Sequence, residues 1–161
     1  MNVKKDIKFD VIIVGAGASG IFTAYELNRL NPDARILMIE KGYSLMKRKC
    51  PIGGKKAETC QNCRICGIVS GFGGSGSMSD GKYNITNSFG GDLFRYVRED
   101  KALELMYYVD EVNCKMGGEG AKLYSTANSN LKTEALRNDL HLLDAQVRHF
   151  GTDRNMVILS N

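Results

Sequence analysis

The feature that most constrains the fold is a glycine pattern, Gly15, Gly17 and Gly20, between an apolar run and a helical pattern. The preceding residues, 9–14, are a short β-branched apolar run, which is typical of a parallel strand buried on both faces. After Gly20, apolar residues recur at helical spacing until Pro32, where proline ends the backbone hydrogen bonding of a helix. The sequence therefore predicts a strand, a glycine turn and a helix in direct succession.

A second apolar run, residues 35–40, predicts another buried strand, and the strand–helix–strand unit should have a right-handed crossover. The run ends at Glu40, twenty positions after Gly20. Glycines in this context, with an acidic residue at this distance, form the dinucleotide-binding fingerprint. We expect Gly15 to allow a tight turn, Gly17 to admit a pyrophosphate close to the backbone, and Gly20 to let helix and strand pack closely. Glu40 would hold ribose hydroxyls and repel a 2′-phosphate, which disfavours NADP.

The composition is that of an ordinary globular chain, with 43% hydrophobic and 25% charged residues among 161. No apolar run approaches the roughly 20 residues that a membrane-spanning helix needs. Residues 1–6 carry charge, and no apolar signal region follows before Asp10. We therefore expect a cytoplasmic protein that neither spans a membrane nor binds one.

The net charge of +4, from 22 basic and 18 acidic residues, is too small to indicate a nucleic-acid binder. Basic residues cluster only at 47–49 and 55–56, and we interpret both clusters as solvated loop faces. The expected partners are a small-molecule substrate or an electron carrier, with no nucleic acid. The sequence leaves the oligomeric state open.

The composition of the chain changes at Gly42. Between residues 42 and 91, glycine is too frequent for a long helix or strand. Beyond it, apolar spacing predicts a helix that ends at Gly117 and a second helix over 133–143 with Thr133 as its N-cap. A strand over 145–150 and a helix beginning at Gly151, in preference to a strand over 156–159, complete the prediction. We divide the chain into 1–91, a nucleotide-binding segment with a glycine- and cysteine-rich loop, and 92–161, a mainly helical segment.

Cysteines form the second notable pattern, because Cys60, Cys63 and Cys66 are separated by two residues each and Cys50 precedes them. The run matches the first three ligands of a ferredoxin-type cluster, but Ser70 stands where a fourth cysteine would follow. Cys50 would complete a four-thiolate set for an iron–sulfur cluster or zinc. Two other interpretations stay open: a redox-active dithiol, and reduced thiols without a ligand.

Several segments resemble a known family. Residues 11–24 (VIIVGAGASGIFTA) and 37–42 (LMIEKG) are similar to the opening of flavoproteins in the two-dinucleotide-binding, glutathione-reductase-like superfamily. Residues 71–82 (GFGGSGSMSDGK) and 149–153 (HFGTD) resemble segments of a bacterial and archaeal family of FAD-dependent dehydrogenases within it. The resemblance is strongest over 9–42 and 67–84.

The resemblance implies an α/β fold, in which a Rossmann-like FAD-binding βαβ unit with a glycine-rich loop and additional helices forms an incomplete domain of a longer enzyme. It implies the amino-terminal part of an FAD-dependent oxidoreductase, with flavin-mediated hydride or electron transfer and NAD(P)H as a candidate electron donor. No residue can be assigned as a catalytic acid or base. The cofactor-binding residues that it implies are Gly15, Ala16, Gly17, Ala18, Ser19, Gly20, Glu40, Lys41, Gly42, Gly73, Gly74, Ser75, Gly76 and Ser77.

Two alternative functions remain. The first keeps the nucleotide site but makes the chain an NAD(P)-linked thiol–disulfide reductase acting through Cys60, Cys63 and Cys66. The second is a non-enzymatic iron–sulfur or zinc-binding module. The substrate and the electron acceptor are not indicated by any of these patterns.

Overall fold

The structure, a computed structural model, describes residues 7–161. The charged residues 1–6, on which the expectation of no export signal partly depends, lie outside the described residues. The fold is mixed α/β with small sheets, and the chain divides into two compact units, Met1–Met78 and Ser79–Asn161. The predicted boundary after residue 91 falls inside the second unit.

None of the helices within residues 7–161 combines the length with the hydropathy that a membrane-spanning helix requires.

The first unit is built on a strand–helix–strand arrangement, which confirms these three predicted elements. It consists of β1 (Val11–Val14), α1 (Ala18–Leu30) and β2 (Ile36–Ile39). The two strands pair in parallel, from Val11 opposite Ile36 to Val14 opposite Ile39. A parallel pair needs a crossover connection, which α1 supplies. The helix ends at Leu30, because Pro32 cannot continue the backbone hydrogen bonding of a helix.

The two-stranded sheet of the first unit differs from the prediction in its burial. Ile13 is buried and faces α1, which packs against both strands. Ile12 and Val14 point the other way and are 59% and 83% exposed. The expectation that β1 is buried on both faces is therefore wrong, because α1 covers one face of the sheet only.

The rest of the first unit is irregular, as its glycine content predicts. Beyond β2 it contains only short 3₁₀ turns, Leu45–Lys47 and Ser75–Met78, within the described residues. Leu45 is buried, and Ala16 in the turn after β1 is almost completely buried.

The second unit contains a three-stranded antiparallel sheet with helices around it. Its elements are β3 (Lys82–Ile85), α2 (Leu93–Tyr96), α3 (Glu99–Asn113), β4 (Leu123–Ser125), α4 (Leu131–Arg137), β5 (Gln146–His149) and α5 (Gly151–Ile158). The strand order is β3-β5-β4, so β5 lies in the centre and pairs with both neighbours. A π-helical turn, Cys114–Gly118, continues α3.

Most predicted elements of the second unit are confirmed: the helix ending near Gly117, the strand within 145–150 and the helix beginning at Gly151. The predicted helix over 133–143 is wrong in extent, because α4 begins earlier and ends at Arg137. The backbone of Asp139 has a φ of 55°, a left-handed conformation that a helix cannot continue through. Thr133 lies inside α4 and does not cap it.

A buried ion pair ties α3 to the sheet of the second unit. The guanidinium of Arg148 on β5 donates from Nε and Nη2 to the two carboxylate oxygens of Asp110 on α3, at 2.7 Å each. Their side chains are only 15% and 8% exposed.

The hydroxyl of Tyr83 on β3 donates to the carbonyl of Met106 at 3.0 Å. Burial, together with the charge of Asp110, raises the pKa of Tyr83 to about 12, so this hydroxyl keeps its proton at physiological pH.

Candidate functional site

The turn between β1 and α1 is shaped by two glycines. Gly15 has a φ of 100°, which favours glycine, and its N–H donates to the carbonyl of Ile39 at 2.7 Å. The turn is therefore bonded to the last residue of β2. A Cβ on Gly20 would lie 2.0 Å from the carbonyl oxygen of Gly15, so only glycine lets α1 approach the turn this closely.

Gly17 is different, because neither its backbone conformation nor packing against the described residues requires a glycine there. Its φ of −78° and ψ of −176° are extended values that any residue adopts. A Cβ at this position would meet no atom of the described residues within 4 Å. The space next to Gly17 is therefore open, and a group approaching the backbone could occupy it.

Glu40 follows β2, and its carboxylate faces the corner that residues 15–17 form between β1 and α1. Its Oε2 accepts a hydrogen bond from the N–H of Ala16, and its Oε1 accepts one from the N–H of Gly42, both at 2.8 Å. These backbone bonds, with a smaller one from Gly71, lower the pKa of Glu40, so the carboxylate is ionised at neutral pH. These three backbone N–H groups leave one lone pair of the carboxylate, which can accept a hydroxyl donor.

The glycine-rich loop lies against the same corner. The N–H of Gly73 donates to the carbonyl of Ala16 at 2.7 Å, and a Cβ on Gly74 would lie 3.3 Å from the Cα of Gly17. A Cβ on Gly42 would lie 2.5 Å from the backbone nitrogen of Gly71. Three backbone segments that are distant in sequence, residues 15–20, 40–42 and 71–74, therefore meet at one place.

The remaining residues that the resemblance assigns to the cofactor divide into exposed and buried ones. Ala18 and Ser19 are exposed in the first turn of α1, and Lys41, Ser75 and Gly76 are exposed as well. Ser77 is buried, and its hydroxyl donates to the carbonyl of Gly74 at 2.9 Å. Ser77 therefore supports the loop from within.

Arg48 is the one residue of this region that sequence reasoning missed. The prediction of a solvated basic face over 47–49 holds for Lys47 and Lys49, which are exposed, but is wrong for Arg48, which is only 5% exposed. Its guanidinium donates to four carbonyls and one hydroxyl, those of Gly67, Ile68, Phe72, Gly74 and Ser77. Nη1 alone contacts Phe72, Gly74 and Ser77 and shares its two hydrogens among them, so one planar guanidinium holds the glycine-rich loop together.

Burial lowers the pKa of Arg48, and the nearby charge of Glu40 opposes that effect. Arg48 thus places a positive charge beneath the loop and near the carboxylate at the end of β2. No spacing in the sequence distinguishes it from the neighbouring lysines. The only signal in the sequence is that this residue is arginine and not lysine, because a planar guanidinium can bond several carbonyls at once.

The four cysteines proposed as metal ligands are not gathered by the structure. Cys60 and Cys63 are exposed, and Cys50 and Cys66 are partly exposed. Among residues 7–161, no three side chains of histidine, cysteine, aspartate or glutamate are arranged to hold a metal ion. The iron–sulfur or zinc site therefore stays a prediction.

Cys66 differs from the other cysteines of the run. Backbone N–H groups of Val69 and Ile68 lower the pKa of its thiol, and the charge of Arg48 adds to the effect. This environment favours the thiolate, the reactive form of cysteine.

Comparisons of the chain with protein-family models, with curated proteins and with solved structures gave no match. What the corner can bind therefore follows from its geometry. It offers open space at an unhindered backbone, an ionised carboxylate and the amino-terminal end of a helix without an acidic residue in its first turn. These features suit a phosphate-bearing ligand with adjacent hydroxyl groups.

The ionisation of Glu40 leads to a prediction on stability. Because its pKa is lower in the folded chain than the ordinary value of 4.5, the carboxylate stabilises the fold above that pH. The contribution is lost as the pH falls through the lowered value. We expect urea unfolding to show less acid sensitivity in Glu40→Gln than in the wild type between about pH 5 and about pH 3. Glu58→Gln, in an exposed loop, serves as the control, and equal behaviour of the two variants would contradict the assignment.

Proposed function

We propose that the chain binds the adenosine diphosphate half of FAD at the turn between β1 and α1. We further propose that it is the amino-terminal, Rossmann-like part of an FAD-dependent oxidoreductase. The observation that carries this proposal is the open space at Gly17 beside the inward-facing carboxylate of Glu40. A glycine that neither conformation nor packing requires is explained when a ligand occupies the position of its missing side chain.

Each part of the corner has a role in this proposal. The diphosphate would lie against Gly17, where free N–H groups and the dipole at the start of α1 stabilise negative charge without a cationic side chain. Glu40 would accept a hydrogen bond from a ribose hydroxyl through its remaining lone pair. The loop at 73–76 would border the cofactor, with Arg48 holding it in place from below.

The geometry suits any adenosine diphosphate, so the choice of FAD depends on the resemblance of residues 37–42 and 71–82 to flavoproteins. When bound, FAD would supply hydride or electron transfer, while the protein binds and orients it. The negative charge of Glu40 disfavours a 2′-phosphate at this site. NAD(P)H, as electron donor, would then bind elsewhere.

The test is a titration of the full chain with FAD, in which binding is monitored by the quenching of flavin fluorescence. We expect saturable FAD binding with which ADP competes. ADP carrying a 2′-phosphate should compete about tenfold more weakly, which corresponds to about 1.4 kcal/mol of repulsion. Purified protein should show flavin absorption in the blue and near ultraviolet. Absence of binding by both FAD and ADP would refute the proposal.

A second candidate, the NAD(P)-linked thiol–disulfide reductase, is favoured by the environment of Cys66, whose thiolate is stabilised by backbone N–H groups and by Arg48. The same preparations distinguish the two functions. Protein without flavin bands that reduces a disulfide dye with NADH, and loses this activity in Cys66→Ser, would favour the reductase. A broad brown absorption after anaerobic purification would instead indicate an iron–sulfur cluster.

A further inference from the structure

We propose that the second unit binds a small organic cation, an amine with an apolar body, in a cavity at one end of its sheet. The cavity has a volume of about 400 Å³, and every residue lining it belongs to Ser79–Asn161. It lies where β3 and β4 end and β5 begins, with Ile85, Ser125 and Gln146 in its wall. Its volume falls within the range of roughly 300–1,000 Å³ that is usual for small-molecule sites.

The cavity wall contains a hydrogen-bond acceptor with no donor. Asn87 donates from Nδ2 to the carbonyl of Glu99 at 3.2 Å, which fixes the orientation of its amide. Within the described part of the chain, Oδ1 of Asn87 is buried and accepts no hydrogen bond. A buried oxygen without a donor is unfavourable, so such groups call for a physical explanation. Because this oxygen has almost no accessible surface, a ligand N–H group in the cavity would supply the missing donor once the side chain of Asn87 has moved, as side chains commonly do on binding.

The charged residues that line the cavity favour a ligand of positive charge. No lysine, arginine or histidine is among the described residues that line it, whereas Glu99 and Asp144 are. Asp144 forms an ion pair with Lys132, which neutralises it, so Glu99 supplies the unbalanced negative charge. A cation therefore gains attraction here, and an anion is repelled.

Another part of the wall is apolar and aromatic. Ile85 and Leu103 contribute aliphatic surface, and Phe94 and Tyr107 contribute rings, which attract ammonium groups as well as apolar ones. The hydroxyl of Tyr107 donates to Oε1 of Gln146 at 3.1 Å, which restrains both side chains. An ammonium group next to an apolar body fits this combination better than an inorganic cation, which would need several oxygen ligands.

Binding is tested on the full chain by two-dimensional amide NMR, with 2-phenylethylamine as probe and 2-phenylethanol and phenylacetate as matched neutral and anionic probes. We expect saturable shifts from the amine in the millimolar range, centred on Asn87 and Gln146, and weaker shifts from the alcohol. Asn87→Ala should weaken amine binding about fivefold and Glu99→Gln about threefold, as the loss of one hydrogen bond or one exposed charge predicts. Glu111→Gln, on the same helix but outside the cavity wall, should bind as the wild type does.

Three results would overturn the proposal: no saturable shift from the amine, equal affinity for amine and alcohol, or unchanged amine affinity in both Asn87→Ala and Glu99→Gln. Because Glu99 is exposed, its variant tests the site even where Asn87→Ala folds poorly. The inference does not depend on FAD binding in the first unit, and Gly17→Leu should bind the amine as the wild type does.

Discussion

Gly17→Leu is expected to abolish FAD binding and leave the fold intact. The backbone at Gly17 is extended and a Cβ there meets no described atom within 4 Å apart from its chain neighbours, so the backbone accepts a side chain without strain. In the proposed complex the same volume belongs to the diphosphate. We expect FAD affinity to fall at least about hundredfold, which corresponds to ~2.7 kcal/mol of binding free energy. The unfolding free energy should stay constant or rise by up to about 1 kcal/mol, because replacing glycine restricts the unfolded chain.

The matched control for this variant is Gly53→Leu. Gly53 lies in an exposed loop, and a Cβ there would lie 3.7 Å from the carbonyl oxygen of Cys50, an ordinary contact distance. FAD titration and urea unfolding should be measured on both variants. Unchanged FAD affinity in Gly17→Leu would show that the cofactor, if bound, lies elsewhere.

Arg48→Met should give the largest loss of stability in the first unit. Methionine retains the length and apolar stem of arginine but removes the donor to the carbonyls of Gly67, Ile68 and Phe72, while the carbonyl of Gly74 keeps the hydroxyl of Ser77 as a donor. Because unsatisfied buried acceptors cost about 1–3 kcal/mol each, and some regain water when the loop opens, we expect a loss of about 3 kcal/mol or more. FAD affinity should fall as well, since Gly74 would no longer be held beside Gly17.

Its neighbours provide internal controls. Lys47→Met and Lys49→Met change exposed side chains and should alter the unfolding free energy by no more than about 0.5 kcal/mol. Arg48→Lys keeps the charge, but one ammonium nitrogen cannot reach all the acceptors that three guanidinium nitrogens contact, so its stability should be intermediate. An Arg48→Met variant as stable as Lys47→Met would contradict the role given to this guanidinium.

The sequence predicts local features of the first unit well. A β-branched run, a glycine turn and a proline determine where β1, α1 and β2 begin and end, because these signals act over a few neighbouring residues. The position of Glu40 at the end of β2 follows from the same spacing. The burial of Arg48 could not be predicted, because its acceptors lie 19 to 29 residues further along the chain in an irregular loop.

The second unit shows where periodicity misleads. Leu136, Leu140 and Leu143 continue a helical spacing, yet all three are exposed, and α4 ends at Arg137. The following Asn138 and Asp139 are residues that readily leave the helical conformation, a local signal that outweighs the apolar pattern. The cavity around Asn87 has no sequence signature, because its wall is assembled from strand ends and helices distant in the chain. FAD binding and the metal site stay predictions.

The two hydrogen bonds that Glu40 accepts from Ala16 and Gly42 have a kinetic consequence. They fix the corner in its open shape before any ligand arrives, so association needs no slow rearrangement of the turn. Nucleotide capture by the first unit should therefore follow a single exponential, with a rate that increases linearly with nucleotide concentration.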